Sequence, residues 1–229
     1  MIYVIALSMS TEAAAYFDLD GTILDASSEK TLTAHLAIRR PWRIPIGTTM
    51  WSLGLIGNLL RGRSLYDAAR NRGHFALASW DVLEQYSRKL AKEELIQKVP
   101  KIALDRLQWH REQGHRLVLV TATIAPMAEA MARELGMDEV YGCGPSVRQG
   151  IMSGSEKGWS VPRRKGKIAV VENDAKDNGH DLEKCYGYGN TMADTWFMKK
   201  TGNPIAINPG KKMTQLAKSS GWKIEEWKL

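Results

Sequence analysis

The sequence predicts an α/β protein with a parallel sheet, and two observations support this prediction. Short apolar runs alternate with helical patterns along much of the chain, which is the arrangement that crossover helices between parallel strands produce. Polar residues suited to catalysis follow several of these runs, as expected at the carboxyl edge of such a sheet. The 229 residues are enough for one sizeable domain or for a domain with a smaller insertion.

The first predicted strand is Ala14–Phe17. The stretch from residue 25 to residue 98 contains no convincing strand pattern and is predicted to be mostly helical. Ser79 is the predicted N-cap of the last helix in that stretch. A further helix precedes Gly114 and places four apolar residues on one face: Val99, Ile102, Ala103 and Leu107.

The rest of the chain alternates strands and helices. Strands are predicted at residues 116–120, 139–141, 184–190 and 204–208. Helices are predicted at residues 126–136, 167–179 and 193–202, and a last one places Met213, Leu216 and Ala217 on one face. Glycines between residues 142 and 159 indicate a small hairpin before the helix at residue 167.

The composition is typical of a globular protein, with 44% hydrophobic and 25% charged residues. Cys143 and Cys185 provide neither a disulfide framework nor metal-ligand spacing, which favours a reducing compartment such as the cytoplasm. No run reaches the roughly 20 apolar residues of a membrane span. The apolar start, residues 1–10, has no basic residue before it, so we expect no secretory signal there.

The first strand runs directly into "DLDGT", residues 18–22. Acidic residues are poor strand formers, so a bound cation or a reaction that uses both Asp18 and Asp20 would explain the pair. Gly21 permits a sharp turn, and Thr22 can hydrogen-bond to the carboxylates. Such an oxygen-rich site suits Mg²⁺, whereas a solvated junction between strand and turn is the alternative explanation.

Further polar residues follow later predicted strands. Thr121 follows the strand at residues 116–120, and residues 190–194 follow the strand that ends in "YGYGN". Because the carboxyl ends of parallel strands lie along one edge of a sheet, we expect these residues to lie near Asp18 and Asp20.

The segment "DLDGT" resembles the first motif of the haloacid dehalogenase-like hydrolase superfamily. Three later segments resemble its second, third and fourth motifs in the same order: Thr121 in "LVLVTAT", Lys167 in "RRKGKIAVV" and "GYGNTMAD", residues 187–194. The whole chain fits this superfamily, and its ending "NPIAINPGKKMTQLAKSSGWKIEEW", residues 203–227, resembles the subfamily that contains phosphoserine phosphatase and its lipid-phosphate phosphatase relatives. The resemblance implies a Rossmann-like parallel sheet flanked by helices, formed by residues 1–24 and 99–229, with an inserted helical type-one cap at residues 25–98.

The resemblance also implies a Mg²⁺-dependent phosphomonoester hydrolase that forms an aspartyl-phosphate. Asp18 would be the nucleophile, and Asp20 would be the general acid and base. Four residues would bind the phosphate, two of them also acting in catalysis: Thr22, the amide of Ala122, and the catalytic Thr121 and Lys167. Four residues would hold Mg²⁺: Asp18, Asp20 through its carbonyl, Asn190 and Asp194.

Two points in this assignment stay open. Lys165 is the alternative to Lys167 as the lysine of the third motif. Asn190 stands where the fourth motif usually has its first acid, and an amide oxygen ligates Mg²⁺ without adding negative charge. We therefore expect weaker metal binding. A catalytically inactive binding protein is one alternative, and a phosphomutase, which shares the first motif and a cap, is another.

The basic charge is concentrated in residues 36–75, which contain seven arginines and one acid and therefore carry +6 of the net charge of +7. Between Arg43 and Arg61 the run "IPIGTTMWSLGLIGNLL" has no charge. The combination favours a small or lipid-like phosphate ester as substrate, or peripheral contact with an anionic membrane. A cap core with a solvated basic face is the alternative explanation.

Two partner classes are disfavoured by the sequence. In "ASSEK", residues 26–30, only Glu29 could bind the ammonium group of a substrate, which argues against phosphoserine. The alternating aromatic and basic residues of a groove for single-stranded nucleic acid are missing, so we expect no nucleic-acid partner.

Overall fold

The computed structural model describes residues 12–144, 147–152 and 163–229. Eight strands lie in these residues: β1 (Ala14–Phe17), β2 (Arg116–Ile124), β3 (Glu139–Cys143), β4 (Val147–Arg148), β5 (Ile151–Met152), β6 (Tyr186–Gly189), β7 (Asn203–Ile207) and β8 (Lys223–Glu225). Six of them form one parallel sheet in the order β3-β2-β1-β6-β7-β8, and β4 and β5 form an antiparallel hairpin. The predicted α/β class with a Rossmann-like parallel sheet is therefore confirmed.

The described residues contain nine α-helices: α1 (Ser28–Arg39), α2 (Arg43–Leu60), α3 (Leu65–Ala68), α4 (Trp80–Leu90), α5 (Lys101–Glu112), α6 (Ala125–Leu135), α7 (Lys165–Asn178), α8 (Thr195–Met198) and α9 (Lys211–Ser219). A π-helical turn, Ala91–Leu95, and a 3-10 turn, Ile96–Lys98, continue the path of α4. Ser79 is the N-cap of α4, as predicted.

Glycines in the left-handed region follow several of these helices, and α5 and α6 are two examples. Gly114 follows α5 with φ of +72°, and Gly136 caps α6 with φ of +64°. The predicted buried face of α5 is correct for Ala103 and Leu107 but wrong for Ile102, which is 44% exposed. Successive helical residues are rotated by about 100°, so Ile102 lies beside the face that Ala103 and Leu107 bury.

The sheet is covered on both faces. In β1 and β2, alternate residues such as Phe17 and Leu119 belong to one apolar cluster, which contains residues of α1, α4, α5 and α6. Their neighbours Tyr16 and Val118 belong to a second cluster, which contains residues of α7, α8 and α9. Burial on both faces is typical of parallel sheets and explains the continuous apolar runs of these strands.

The segment from residue 25 to residue 98 consists of helices and turns, apart from a single bridge between Ser79 and Ile151. Its residues Leu32, Leu83 and Leu95 share one buried cluster with Phe17 of the sheet. The division of the chain into a core and a cap at residues 25 and 98 stays a prediction. The absence of a secretory signal concerns residues 1–10, which lie outside the described residues, and the predicted hairpin is described only in part.

Candidate active site

Asp18 is the first residue after β1, at the carboxyl end of the central strand. Its backbone N–H donates to the carbonyl of Tyr188 in β6 at 3.0 Å, which fixes the end of β1 against its neighbour. The chain then turns sharply, and Gly21 adopts φ of +78°. A Cβ atom at Gly21 would lie 2.0 Å from Nδ2 of Asn190, so any larger residue would have to displace the Asn190 side chain and adopt an unfavourable φ. The turn thus brings the first and fourth motifs into contact.

A buried lysine joins two aspartates at this edge of the sheet. The Nζ atom of Lys167, in the first turn of α7, donates to Oδ1 of Asp18 and to Oδ1 of Asp194, each at 2.7 Å. All three side chains are buried. A buried charge is tolerated when it is paired and hydrogen-bonded, and the ammonium lowers the repulsion between the two carboxylates.

The pKa values of these groups reflect their burial. Burial, together with the charge of Asp194, raises the pKa of Asp18 to about 7, although the ammonium of Lys167 opposes this shift. Burial alone would lower the pKa of Lys167, but the two carboxylates raise it above its ordinary value. Lys167 is therefore held in its charged form between Asp18 and Asp194.

Asp194 is fixed by the loop that follows β6. Its Oδ2 atom accepts hydrogen bonds from the backbone N–H of Thr191 at 3.0 Å and from the hydroxyl of Thr191 at 2.6 Å. Its Oδ1 atom accepts from Lys167, so both carboxylate oxygens are engaged. The prediction that Asp194 ligates a metal stays a prediction; the observed contacts are those of a residue that positions Lys167.

Asp20 points towards the start of α1. Its Oδ1 atom accepts from the backbone N–H of Ser28 at 3.0 Å and from the hydroxyl of Ser28 at 2.6 Å. Burial raises the pKa of Asp20, while the hydrogen bonds from Ser28 lower it, and the net shift is upward. Ser28 was not predicted as a site residue. One feature of the sequence could have indicated Ser28: it lies in the first turn of a helix that begins soon after the first motif.

Thr121 lies inside β2 because the strand continues to Ile124, four residues past its predicted end. The pairing of β2 with β3 shifts in register between Val120 and Ile124, which marks an irregularity at this point. The hydroxyl oxygen of Thr121 accepts from the backbone N–H of Thr123 at 3.1 Å. Thr121 is buried, and Thr121 and Ala122 both line the cavity described below.

Of the two candidate lysines, the structure brings Lys167 to the aspartates. Lys165 is exposed, and its Nζ atom lies 5.3 Å from the centre of the Trp196 ring. The two lysines are two positions apart on α7, so their side chains point in nearly opposite directions. Thr22 also reaches the site, since its hydroxyl donates to Oδ2 of Asp18 at 3.3 Å.

The donor atoms at this edge fit a hard cation such as Mg²⁺. The Oδ1 atom of Asn190 is buried and has no hydrogen-bond partner, which is the state expected of an acceptor reserved for a ligand. The carboxylate of Asp18 and the backbone of Asp20 belong to the same turn region. No group of three or more His, Cys, Asp or Glu in the described ranges is arranged for a metal. A cation here would therefore depend on the amide oxygen of Asn190 as well as on carboxylates.

A cavity of about 820 Å³ opens over these residues. Its lining includes Asp20, Thr121, Lys167 and Asp194 on the side of the sheet. Asp18 is not part of this lining but contacts Lys167, which is. The opposite wall comes from the helical segment, including Ala34, Ala37, Thr48 and Trp51. Five further basic residues line it: Lys30, Arg70, Arg72, Arg163 and Arg164.

Glu29 lies in this cavity but is paired with an arginine. Its Oε2 atom accepts from Nη2 of Arg72 at 3.0 Å, and its Oε1 atom lies 3.9 Å from Nε2 of His74. Arg72 is buried and also donates to the carbonyl of Ala122 at 2.5 Å. The charge of Glu29 is thus offset within the protein. Neither Arg72 nor His74 was predicted as a site residue, because their contacts join segments about 45 residues apart.

Comparison with curated proteins gives relatives that cover nearly the whole chain. The chain is 27% identical over 222 residues to phosphoserine phosphatase SerB1 of Mycobacterium tuberculosis, covering 95% of this chain and 71% of that protein. It is 21% identical over 220 residues to histidinol-phosphatase of Neisseria meningitidis, covering 93% of this chain and 98% of that protein.

Solved structures agree with the fold. A protein of unknown function from Bordetella pertussis matches with a TM-score of 0.75 and 24% identity, covering 93% of this chain and 98% of that one. A phospho-aspartyl intermediate analogue of phosphoserine phosphatase matches with a TM-score of 0.62 and 14% identity, covering 93% and 92% of the two chains. The profile described as haloacid dehalogenase-like hydrolase matches residues 15–199. Because this match spans most of the chain and contains all four motifs, the chain belongs to the haloacid dehalogenase-like hydrolase family.

Proposed function

We propose that this chain is a phosphomonoester hydrolase that works through an aspartyl-phosphate on Asp18. The observation that carries the proposal is the contact of 2.7 Å between the buried carboxylate of Asp18 and the ammonium of Lys167, beside a cavity of about 820 Å³. The names of the two relatives, both phosphatases, support this reaction class. A nucleophilic carboxylate held beside a cavity suits attack on a bound phosphate ester.

The reaction has two halves in this proposal. A carboxylate oxygen of Asp18 attacks phosphorus, the bond from phosphorus to the ester oxygen breaks, and Asp20 gives its proton to the leaving alcohol. Asp20 then takes a proton from water, the water oxygen attacks phosphorus, and the bond to Asp18 breaks to release phosphate. The raised pKa of Asp20 supports its role as the general acid in the first half, because it favours the protonated carboxyl.

Four residues are proposed to hold the phosphate, through two hydroxyls, one backbone N–H and one ammonium: Thr22, Thr121, Ala122 and Lys167. Mg²⁺ would be held by Asp18, the backbone carbonyl of Asp20, Asn190 and, directly or through water, Asp194. It would reduce the repulsion between the carboxylate of Asp18 and the anionic ester. Lys167 supplies part of the same charge compensation from the protein itself, because it contacts Asp18 directly.

The proposed substrate is a small or lipid-like phosphate ester without an ammonium group. Glu29 is already paired with Arg72, so it is not left to bind an ammonium. The further basic residues of the lining favour an anionic ester. Ala34, Ala37 and Trp51 add apolar surface on the opposite wall, which suits an apolar leaving group.

A panel of phosphomonoesters tests the proposal, with the wild-type chain and Asp18→Asn compared in the presence of Mg²⁺. We expect hydrolysis of p-nitrophenyl phosphate and of lipid phosphates by the wild type, less hydrolysis of phosphoserine, and none by the variant. Mass spectrometry after rapid quenching should detect one added phosphoryl group on Asp18. Preference for phosphoserine over lipid phosphates would refute the substrate proposal alone.

Two other outcomes would change the reaction class. Transfer of the phosphoryl group to the hydroxyl of a second substrate would identify a phosphomutase. No hydrolysis of any ester at any Mg²⁺ concentration would identify a non-catalytic binding protein, the reading that the neutral Asn190 favours.

A further inference from the structure

Helix α2 leaves an apolar face open to solvent. Leu53, Ile56 and Leu60 are 58%, 53% and 84% exposed. Their spacing of three and four residues puts them on one face of the helix. Of the eighteen residues of α2, only Arg43 and Gly47 are buried. An apolar stripe of this kind on a folded protein marks a surface for an interaction.

The other face of α2 is firmly attached to the chain. The indole N–H of Trp51 donates to the carbonyl of Ala69 at 3.0 Å, and Arg43 donates to the carbonyl of Ala76 at 2.6 Å. Gly73 lies so close that a Cβ atom there would be 2.5 Å from the carbonyl oxygen of Met50. These contacts fix the rotation of α2, so the apolar face points outward because of the packing of the helix.

Arginines precede and follow α2 in the chain, and the segment that contains α2 has no acid. Arg39, Arg61 and Arg63 are exposed, and Arg40 is half-buried. Residues 36–66 contain no aspartate or glutamate. Trp42, which precedes α2, is 58% exposed and is of the residue type that lies at the boundary between lipid headgroups and acyl chains.

We propose that this face of α2 docks on the surface of an anionic lipid bilayer. The arginines would bind the phosphates of the headgroups, while Leu53, Ile56 and Leu60 would enter the boundary with the acyl chains. Among the residues that the structure describes, none of the helices could span a bilayer.

A second copy of the chain is a weaker candidate for the same face. A symmetric dimer through α2 would bring the two arginine-rich surfaces together, and like charges in contact oppose association. An anionic bilayer, by contrast, offers negative charge to the arginines and an apolar layer beneath that charge to the leucines and isoleucine.

Docking on a bilayer would also set the orientation of the cavity. Gly47, Thr48 and Trp51 of α2 line the cavity, while Leu53, Ile56 and Leu60 lie on the exposed face. The same helix would then contact both the bilayer and a substrate. Docking on the bilayer does not require hydrolysis. The further inference that docking gives access to lipid phosphates rests on the proposed function.

Co-sedimentation with vesicles tests the docking. We expect the chain to bind vesicles of phosphatidylcholine mixed with phosphatidylglycerol, to bind vesicles of phosphatidylcholine alone much more weakly, and to be released by high salt. Arg61→Gln combined with Arg63→Gln should weaken binding by about fivefold for each arginine. The triple variant Leu53→Asn, Ile56→Asn and Leu60→Asn should not bind measurably.

A matched control removes exposed apolar residues elsewhere. Ile102→Asn combined with Leu104→Asn changes two exposed residues of α5 and should leave vesicle binding at the wild-type level. Thermal melting of each variant checks that it is folded, and hydrolysis of p-nitrophenyl phosphate in solution checks the active site separately. Asp18→Asn should bind vesicles as the wild type does.

Three results would overturn the proposal. The first is equal binding to vesicles with and without phosphatidylglycerol, and the second is unchanged binding by the α2 variants. The third is a wild-type chain that binds no vesicles but forms a dimer, measured by light scattering, which the triple variant does not form. Loss of hydrolysis with vesicle binding intact would instead contradict only the proposed function.

Discussion

The Nζ atom of Lys167 lies 2.7 Å from Oδ1 of Asp18, although 149 positions separate the two residues in the chain. The same ammonium lies 2.7 Å from Oδ1 of Asp194, so one cation serves two buried carboxylates. Removing a partner from a buried ion pair leaves an uncompensated charge, which is far more costly than the loss of a surface pair. This relationship makes Lys167 important for stability as well as for binding phosphate.

We predict that Lys167→Met lowers the free energy of unfolding by about 3–5 kcal/mol and abolishes hydrolysis. The reason is that Asp18 and Asp194 would remain buried without their shared cation. Urea unfolding measures the first effect. Lys165→Met is the matched control, because Lys165 is exposed, and it should change stability by less than about 0.5 kcal/mol. Equal effects of the two substitutions would contradict the assignment of Lys167.

Asp18→Asn should reduce turnover by at least roughly a thousandfold, since an amide cannot act as the nucleophile. The substitution is isosteric, so far-ultraviolet circular dichroism should be unchanged. Steady-state hydrolysis of p-nitrophenyl phosphate measures the loss. Turnover retained by a purified variant would show that another group attacks phosphorus.

Asn190→Asp should raise the affinity for Mg²⁺ by about tenfold, because it adds a charge at a buried oxygen that has no partner. The measurement is the Mg²⁺ concentration that gives half-maximal hydrolysis. Gln113→Glu adds a similar charge at an exposed position outside the cavity and serves as the control. If both variants behave like the wild type, Asn190 is not a metal ligand.

His110 should make the protein less stable in acid. It is fully buried, and burial, with the charges of His115 and Arg106, lowers its pKa to about 3. The unfolded chain takes up a proton at about pH 6.5, so stability is lost as the pH falls from that value towards about 3. Between pH 8 and pH 5 the loss from this residue is about 2 kcal/mol.

The non-titrating variant His110→Gln isolates this contribution. Urea unfolding at pH 8 and pH 5 measures the unfolding free energy of the wild type and of the variant. From pH 8 to pH 5 the wild type should lose about 2 kcal/mol more than the variant. A difference that is the same at both pH values would contradict the prediction. The substitution also removes the hydrogen bond of 2.8 Å between His110 Nε2 and the hydroxyl of Tyr188. This loss of stability is the same at every pH and does not affect the comparison.

The sequence was most informative where local chemistry determines structure. β1 has its predicted bounds, because an apolar run that meets Asp18 and a glycine turn has a well-defined end. β8 was missed because Lys223–Glu225 is a short edge strand with two exposed residues and no apolar pattern. The end of β2 was placed too early because "TAT" has no apolar pattern, while the pairing with β3 extends the strand to Ile124.

Sequence patterns did not predict the contacts between segments that are far apart in the chain. The pair of Glu29 and Arg72 joins α1 to the turn after α3, and no periodicity or motif marks it. The helix predicted at residues 193–202 is limited to Thr195–Met198, since Asp194 is held by Lys167 and Thr191. For the third motif, by contrast, the resemblance in "RRKGKIAVV" left Lys165 and Lys167 as the two candidates, and the structure brings Lys167 to Asp18.

The position of β1 between β2 and β6 has a consequence for synthesis on the ribosome. β1 is made before both of its partners, which begin at Arg116 and Tyr186. One edge of this apolar strand therefore stays unpaired until most of the chain has emerged, and unpaired strand edges are prone to aggregation. A nascent chain of this protein has to keep β1 protected, by its own helices or by a chaperone, until β6 has been translated.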